Sequence, residues 1–427
     1  MRFSTLAEWL AWQETLHPQT IDLGLARVRR VFDNLALQGD RPFTITVGGT
    51  NGKGSCVAML SAILRAAGYR VGAYTSPHIL KYNERISIDG QAVEDERIVR
   101  AFDRIDQARG NTSLSFFEFG TLAALDIFSG ENLDVRILEV GLGGRLDAVN
   151  IVDPDIALIA SIGIDHEEWL GNDRDSIGYE KAGIFRAGRP AVVGDPDAPA
   201  SVVRAATERH ASLYRQGREF GYERSGEVWA WSGCGVRLEN LPNPAIPGDH
   251  QLMNAAAVLQ VLKLASAQLR VPDQAIRQGL NQVRLPGRFQ FFPGDIPVLL
   301  DVAHNPQAVK ILADHLRRHF PDQRIHAVFA VMRDKDIAGI IAHIRDVVSC
   351  WYLAPLRMTR AATPDELREI LHNAGVERIA VGFADVVDAC AAARSEARAG
   401  DLILVFGSFF LVSDYLAHTA LWGNSNG

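Results

Sequence analysis

With 427 residues the chain is long enough for two or three domains and a large core. A formal net charge of −7 argues against a nucleic-acid partner, and 47% hydrophobic with 22% charged residues fits an ordinary globular protein. No apolar run reaches membrane-spanning length, the four cysteines are widely separated with no C-x-x-C pair, and the amphipathic start with Glu8 and Glu14 does not read as a signal peptide, so the expected setting is the reducing cytoplasm, away from membranes.

Residues 3–16 have the spacing of an amphipathic helix. The D-L-G-L run, Asp22, Leu23, Gly24 and Leu25, follows, and local chemistry reads Asp22 as a cap for the next helix. Residues 42–47 form a β-branched and aromatic run, predicting a buried strand. After it come Gly48, Gly49, Thr50, Asn51, Gly52, Lys53, Gly54 and Ser55, and then a helical pattern to Ala67. Strand, glycine-rich turn and helix start make a phosphate cradle. Backbone N–H groups point inward, the helix dipole favours an anion, and Lys53 adds a charge. Ser55 offers a hydroxyl to magnesium or a phosphate oxygen. Val47 stands where the general phosphate-loop pattern has its first Gly, so the shorter G-x-x-G-K-G-S remains, which points away from GTPases and kinases. Lys53 is expected to face solvent when no nucleotide is bound.

A second strand, residues 70–75, ends in T-S-P-H, which puts Ser76 at a strand's carboxyl end, where open α/β sheets bind ligands. A turn serine is the plain alternative. The following K-Y-N-E-R-I-S-I-D-G-Q-A-V reads as a hairpin turning at Asp89-Gly90. Ser115, Phe116, Phe117 and Glu118 open an apolar helix. Residues 135–140 form a strand in which Glu139 is an acid inside an apolar run, costly to bury without a cation. Residues 156–162 form another, leading to G-I-D-H with His166. Lys181 follows in S-I-G-Y-E-K-A-G, with Glu180 as its plain ion-pair partner. Residues 190–247 are mixed short strands with little to interpret. Residues 248–265 and 272–283 are helical, and the Pro- and Gly-bearing stretch 284–297 marks a domain boundary. Beyond it, strands near 298–303, 324–331, 350–354, 378–382 and 401–406 alternate with helices, predicting a second, smaller sheet.

The phosphate-loop stretch resembles the ATP-binding loop of the Mur ligase superfamily, and the other segments resemble the folylpolyglutamate synthase and dihydrofolate synthase family over nearly the whole chain. The resemblance implies an α/β protein: a phosphate-loop ATPase-like domain with a parallel sheet over 1–286, binding ATP and pterin, and a Rossmann-like glutamate-ligase domain over 287–427. It implies ATP contacts from Gly49, Thr50, Asn51, Gly52, Lys53, Gly54, Ser55, Asn254, Arg288 and Asp301. Ser76, Glu139 and His166 become magnesium ligands; magnesium's preference for oxygen makes the histidine the least expected of them on chemistry alone. The pterin or folate substrate falls to Asp22, Leu23, Gly24, Leu25, Ser115, Phe116, Phe117, Glu118, Leu146, Asp147 and Ala148. Lys181 is implied to carry a carbamate made from carbon dioxide, supporting a second magnesium, and His304 to face the incoming glutamate. Lys53, Lys181, Arg288 and His304 are the implied catalytic set.

Residues alone support a phosphate-loop ligase or phosphotransferase. The resemblance adds L-glutamate, joined to dihydropteroate or to tetrahydrofolates through an acyl phosphate, in a monomer. A folylpolyglutamate synthase without the dihydropteroate activity, a kinase-type phosphotransferase and a nucleotide-gated binding protein stay open at this stage.

Overall fold

In the computed structural model, described for residues 1–422 apart from 18, 20 and 40, three sheets form. The strands in chain order are β1 (Phe43–Gly48), β2 (Val71–Tyr74), β3 (Ile86–Ile88), β4 (Gln91–Ala92), β5 (Val135–Glu139), β6 (Ile156–Ile159), β7 (Pro190–Val193), β8 (Ser212–Arg215), β9 (Phe220–Ser225), β10 (Val228–Gly233) and β11 (Val236–Pro242). There follow β12 (Gln290–Phe292), β13 (Val298–Asp301), β14 (Ile325–Phe329), β15 (Cys350–Leu353), β16 (Ile379–Ala380) and β17 (Leu402–Phe406).

The chain divides into two compact units. The first comprises Met1–Gly163, Leu170–Ala245 and Gln251–Arg284; the second comprises Ile164–Trp169, Ile246–His250 and Leu285–Gly427. In the first, eight strands run in the order β4-β3-β2-β5-β1-β6-β7-β8. From β2 to β8 every pairing is parallel; the β2–β3 and β3–β4 pairings are antiparallel. The central strands β1, β5 and β6 are buried almost throughout, because helices cover both faces of a parallel sheet. The hairpin after β3 turns at Asp89 and Gly90, both with positive φ, as an Asp-Gly turn demands.

Residues 190–247 hold more order than expected. They contain β7, the helix Ala200–Glu208, β8, and a separate antiparallel sheet in the order β11-β10-β9 whose Trp229 and Trp231 are buried. In the second unit the order is β12-β13-β17-β14-β15-β16. The five expected strands are all present, and β12 adds an antiparallel edge. Its apolar residues pack on both faces of the sheet, around Phe329 and Trp351 on one side and Val405 and Tyr352 on the other. Among the described residues no helix is long and apolar enough to cross a membrane.

Candidate active site

The first unit sets its chemistry at one sheet edge. Chain order reverses around β1, which lies between β5 and β6; such switch points are where α/β sheets hold ligands. The loop leaving β1 enters the helix Lys53–Ala66 at Gly52, whose φ is +84°. That helix has no side-chain N-cap, so its first-turn N–H groups and its dipole are directed at the loop. The loop is stitched to the end of β6. Thr50 N donates to Ser161 O, Thr50 Oγ1 to Gly163 O, and Asn51 N to Ser161 Oγ. A Cβ on Gly52 would lie 2.6 Å from Asn254 Oδ1, so Asn254 overhangs the loop it was expected to assist. Lys53 does not extend into solvent: its Nζ donates to Gly49 O (3.0 Å) and Thr50 O (3.2 Å), folding the cation back onto its own loop. Ser55 is buried in the first helical turn, and Cys56 beside it is a buried helix-face residue whose thiol is pushed up by burial.

Glu139 ends β5 opposite Val47 of β1 and is 3% exposed. The Ser76 amide donates to its Oε2 at 3.3 Å. Because β2 pairs with β5 at Tyr74–Leu138, Ser76 follows a strand that ends beside Glu139. A buried carboxylate and a hydroxyl next to a phosphate cradle are hard oxygen donors suited to magnesium. Among the described residues no three His, Cys, Asp or Glu side chains gather as a metal cage. Lys181 is buried in the last turn of the helix Arg174–Lys181. Its neighbour Glu180 pairs with Arg145 at 2.9 Å.

Of the residues expected to hold the pterin, Asp22, Glu118 and Ser115 are linked through Arg27, and Phe117 and Asp147 through Gly141. Asp22 is not a helix cap: the N-cap of the helix Ala26–Leu35 is Leu25, with no side-chain cap bond. Asp22 Oδ2 accepts instead from Arg27 Nη1 (2.6 Å) and lies 3.1 Å from His17 Nε2. Arg27 reaches on to Glu118 Oε1 at 3.1 Å. Ser115 and Glu118 form a reciprocal capping box on the helix Phe116–Ser129, so both are committed to backbone amides. Phe117 packs against Gly141, where a Cβ would fall 2.6 Å from the ring, and lies 5.9 Å from Tyr74. Gly141 N, Leu142 N and Val149 N all donate to Asp147, which is 2% exposed. Burial pushes Asp147 up to about 6, against the pull of those amides and of Lys53. Asp147 is thus where the aromatic side and the phosphate loop meet, flanked in sequence by half-buried Leu146 and buried Ala148.

In the second unit Asp301 ends β13, buried, accepting from Phe289 N (2.9 Å) and Ala303 N (2.7 Å). Burial raises its pKa while Arg288 pulls it down. The Arg288 guanidinium lies 5.0 Å from the centre of the Phe409 ring, and His304 packs on the same ring at 5.8 Å. Sequence reasoning passed over an ion cluster beside them. Asp165 accepts from Lys335 Nζ (2.7 Å) and Asn305 Nδ2 (3.2 Å), and lies 3.8 Å from His304 Nε2. Burial alone would raise Asp165, yet His166, Lys335 and His304 hold it well below the usual carboxylate range. His166 itself sits in the left-handed region, with φ of +56°.

Comparison with known proteins places the chain. The Mur ligase middle domain matches residues 47–262, and the Mur ligase glutamate ligase domain matches 287–409. The dihydrofolate synthase/folylpolyglutamate synthase of Escherichia coli (strain K12) is 46% identical over 96% of this chain and 94% of its own. The chain belongs to the Mur ligase family, among its dihydrofolate synthase/folylpolyglutamate synthases. Solved structures agree. E. coli FolC in complex with DHPP and ADP superposes with a TM-score of 0.93 at 45% identity, covering 98% of both chains. A bifunctional folylpolyglutamate synthase/dihydrofolate synthase with Mn, AMPPNP and L-glutamate bound gives 0.90 at 45% identity, again covering 98% of both. As a member of this family the protein is an ATP-dependent ligase that forms carbon–nitrogen bonds. Within that family reading, the signal for Asp165 and Lys335 was weak: each stands in a short charged run, D-H-E-E and R-D-K-D, that reads as solvated surface.

Proposed function

We propose that the protein joins L-glutamate to dihydropteroate, giving dihydrofolate, and to the γ-carboxyl group of reduced folates, giving polyglutamates. The observation that carries this reading is the uncapped helix start and glycine loop beside a buried Glu139, in a chain this similar to dihydrofolate synthase/folylpolyglutamate synthases. The helix amides, Lys53 and Arg288 neutralise charge as the γ-phosphoryl group passes to the substrate carboxylate. The resulting acyl phosphate is attacked by the glutamate amine near His304; phosphate leaves and a proton is lost from nitrogen. Ser76, Glu139 and His166 are the proposed holders of magnesium, which when bound would offset the phosphate charge. Gly49, Thr50, Asn51, Gly52, Gly54, Ser55, Asn254 and Asp301 are assigned to ATP. Leu23, Gly24 and the groups around Arg27, Phe117 and Asp147 are assigned to the pterin. A cytoplasmic monomer fits the four cysteines, none of which is in a disulfide among the described residues.

Purified enzyme should release phosphate from ATP only when both L-glutamate and a pteroyl acceptor are present. Lys53→Ala should lose roughly a hundredfold or more of that rate with its melting temperature kept. Stable phosphorylated acceptor without glutamate would instead mark a phosphotransferase. Lys181 is assigned the carbamate, formed as its neutral amine adds to carbon dioxide and sheds a proton. Burial favours that neutral amine. Lys181→Ala should be nearly inactive and regain activity with acetate. A bare amine in the density of an active nucleotide–magnesium complex would refute the carbamate.

A further inference from the structure

Arg85 is a buried cation with no acidic partner among the described residues. It is 9% exposed, at the end of the short 3-10 turn Tyr82–Arg85 that leads into β3. Its only hydrogen-bonded side-chain partner among the described residues is His78, whose Nδ1 accepts from Arg85 Nε at 2.8 Å. Because Nδ1 accepts that bond, the ring brings no negative charge to offset the cation. The adjacent carboxylate, Glu84, is committed to the backbone amides of Ile79, Leu80 and Lys81. The guanidinium carbon lies 5.4 Å from the Tyr82 ring centre and 5.6 Å from that of Phe116. Two ring faces and a neutral imidazole offset only part of the cost of removing a guanidinium from water. Neither terminal nitrogen donates to a protein acceptor among the described residues, so a planar two-point donor is left for an anion.

Its position says which anion. Thr75 N donates to Arg85 O at 2.9 Å, tying the residue to the end of β2, one position before Ser76 and the amide that meets Glu139. Phe116, against which the guanidinium stacks, opens the helix whose next ring, Phe117, packs over Gly141. We propose that Arg85 is a substrate-binding residue that grips the carboxylate of a flat aromatic acid lying against Phe116. This rests on the pteroyl-ligase reading above and names the group that recognises the acid end of that substrate.

The test is equilibrium binding of dihydropteroate, of its neutral carboxamide and of ADP to wild type, Arg85→Gln and Arg85→Lys. Loss of a charge-assisted, two-point contact should weaken dihydropteroate roughly tenfold or more in Arg85→Gln. The carboxamide and ADP should bind both proteins alike, and Arg85→Lys, which keeps the charge without the fork, should fall between. Equal loss of acid and amide would make Arg85 a mere support for the aromatic wall and overturn the proposal. So would unchanged dihydropteroate affinity, or a loss confined to ADP, which would assign the anion to a nucleotide phosphate. A wild type that binds ADP but neither pteroyl compound would overturn the substrate reading along with the proposal. ADP binding and melting temperature in each variant show that the fold is intact.

Discussion

Asp147 shows how one residue serves two sides of a site. Its carboxylate gathers the amides of Gly141, Leu142 and Val149, and so fixes the turn after β5 that carries Glu139 at its head. Sequence resemblance put Asp147 at the substrate site; its carboxylate is engaged by backbone amides and so shapes the loop proposed to present that site. A buried acid raised to about 6 binds its proton more tightly folded than unfolded. The native state therefore holds more protons between the unfolded and folded values, and stability falls as pH rises through that window. From about pH 4 to about pH 7 this group should cost the fold about 3 kcal/mol, from a shift of about two units at 1.36 kcal/mol each. Asp147→Asn cannot titrate, so the stability gap between variant and wild type should shrink by about that amount over the same range. Urea denaturation of both proteins at several pH values checks it. A gap that stays constant or widens would mean that the amides and Lys53 outweigh burial.

At the scale of elements, what was legible in the sequence was what local chemistry determines. Gly48 to Ser55 can form only a turn between a strand and a helix, and the β1–loop–helix unit follows. The Asp89-Gly90 hairpin and the parallel strands of the second unit were equally readable, from turn chemistry and apolar runs. The three-stranded sheet β9–β11 was not. Its burial follows no clean period of two, since β9 runs from buried to exposed and β10 buries three residues in a row, and the burial of Trp229 and Trp231 comes from packing rather than from local pattern. The extended Lys53 failed for a related reason: the carbonyls of Gly49 and Thr50 become acceptors only once the loop has closed. Gly52 tests the loop directly. Its φ of +84° disfavours any L side chain, and a Cβ would press on Asn254 at 2.6 Å. Gly52→Ala should lose about 1–2 kcal/mol of stability from the left-handed backbone alone. It should also weaken ADP binding, read by calorimetry, because the loop amides can no longer converge. Unchanged ADP affinity would show that this turn does not form the phosphate site.

At the scale of the whole molecule, the two units are not simple successive lengths of chain. Ile164–Trp169 and Ile246–His250 belong to the second unit although first-unit residues flank them on both sides. Each is anchored there by specific groups. Asp249 pairs with Arg318, His250 packs 5.6 Å from Phe289, and Asp165 meets Lys335, a residue 170 positions away. That last pair was unreadable because only the folded chain brings its members together. Both side chains are 8% exposed, so the pair is a buried one, in which removing a single partner strands the other's charge. Lys335→Met should therefore destabilise the second unit by about 3–5 kcal/mol. Asp165 would retain Asn305 and nearby His304, which places the expected cost at the lower end of that range. Hydrogen exchange read by mass spectrometry locates the effect. Protection should fall in β13, β14 and β17 and persist in β1, β5 and β6, because each unit carries its own core. ADP binding at the phosphate loop should persist as well. Adding Asp165→Asn to Lys335→Met should recover part of the loss, since the stranded carboxylate is then gone. Uniform loss of protection across both sheets would show one cooperative core, and no recovery in the double variant would show that Lys335 acts through something other than Asp165.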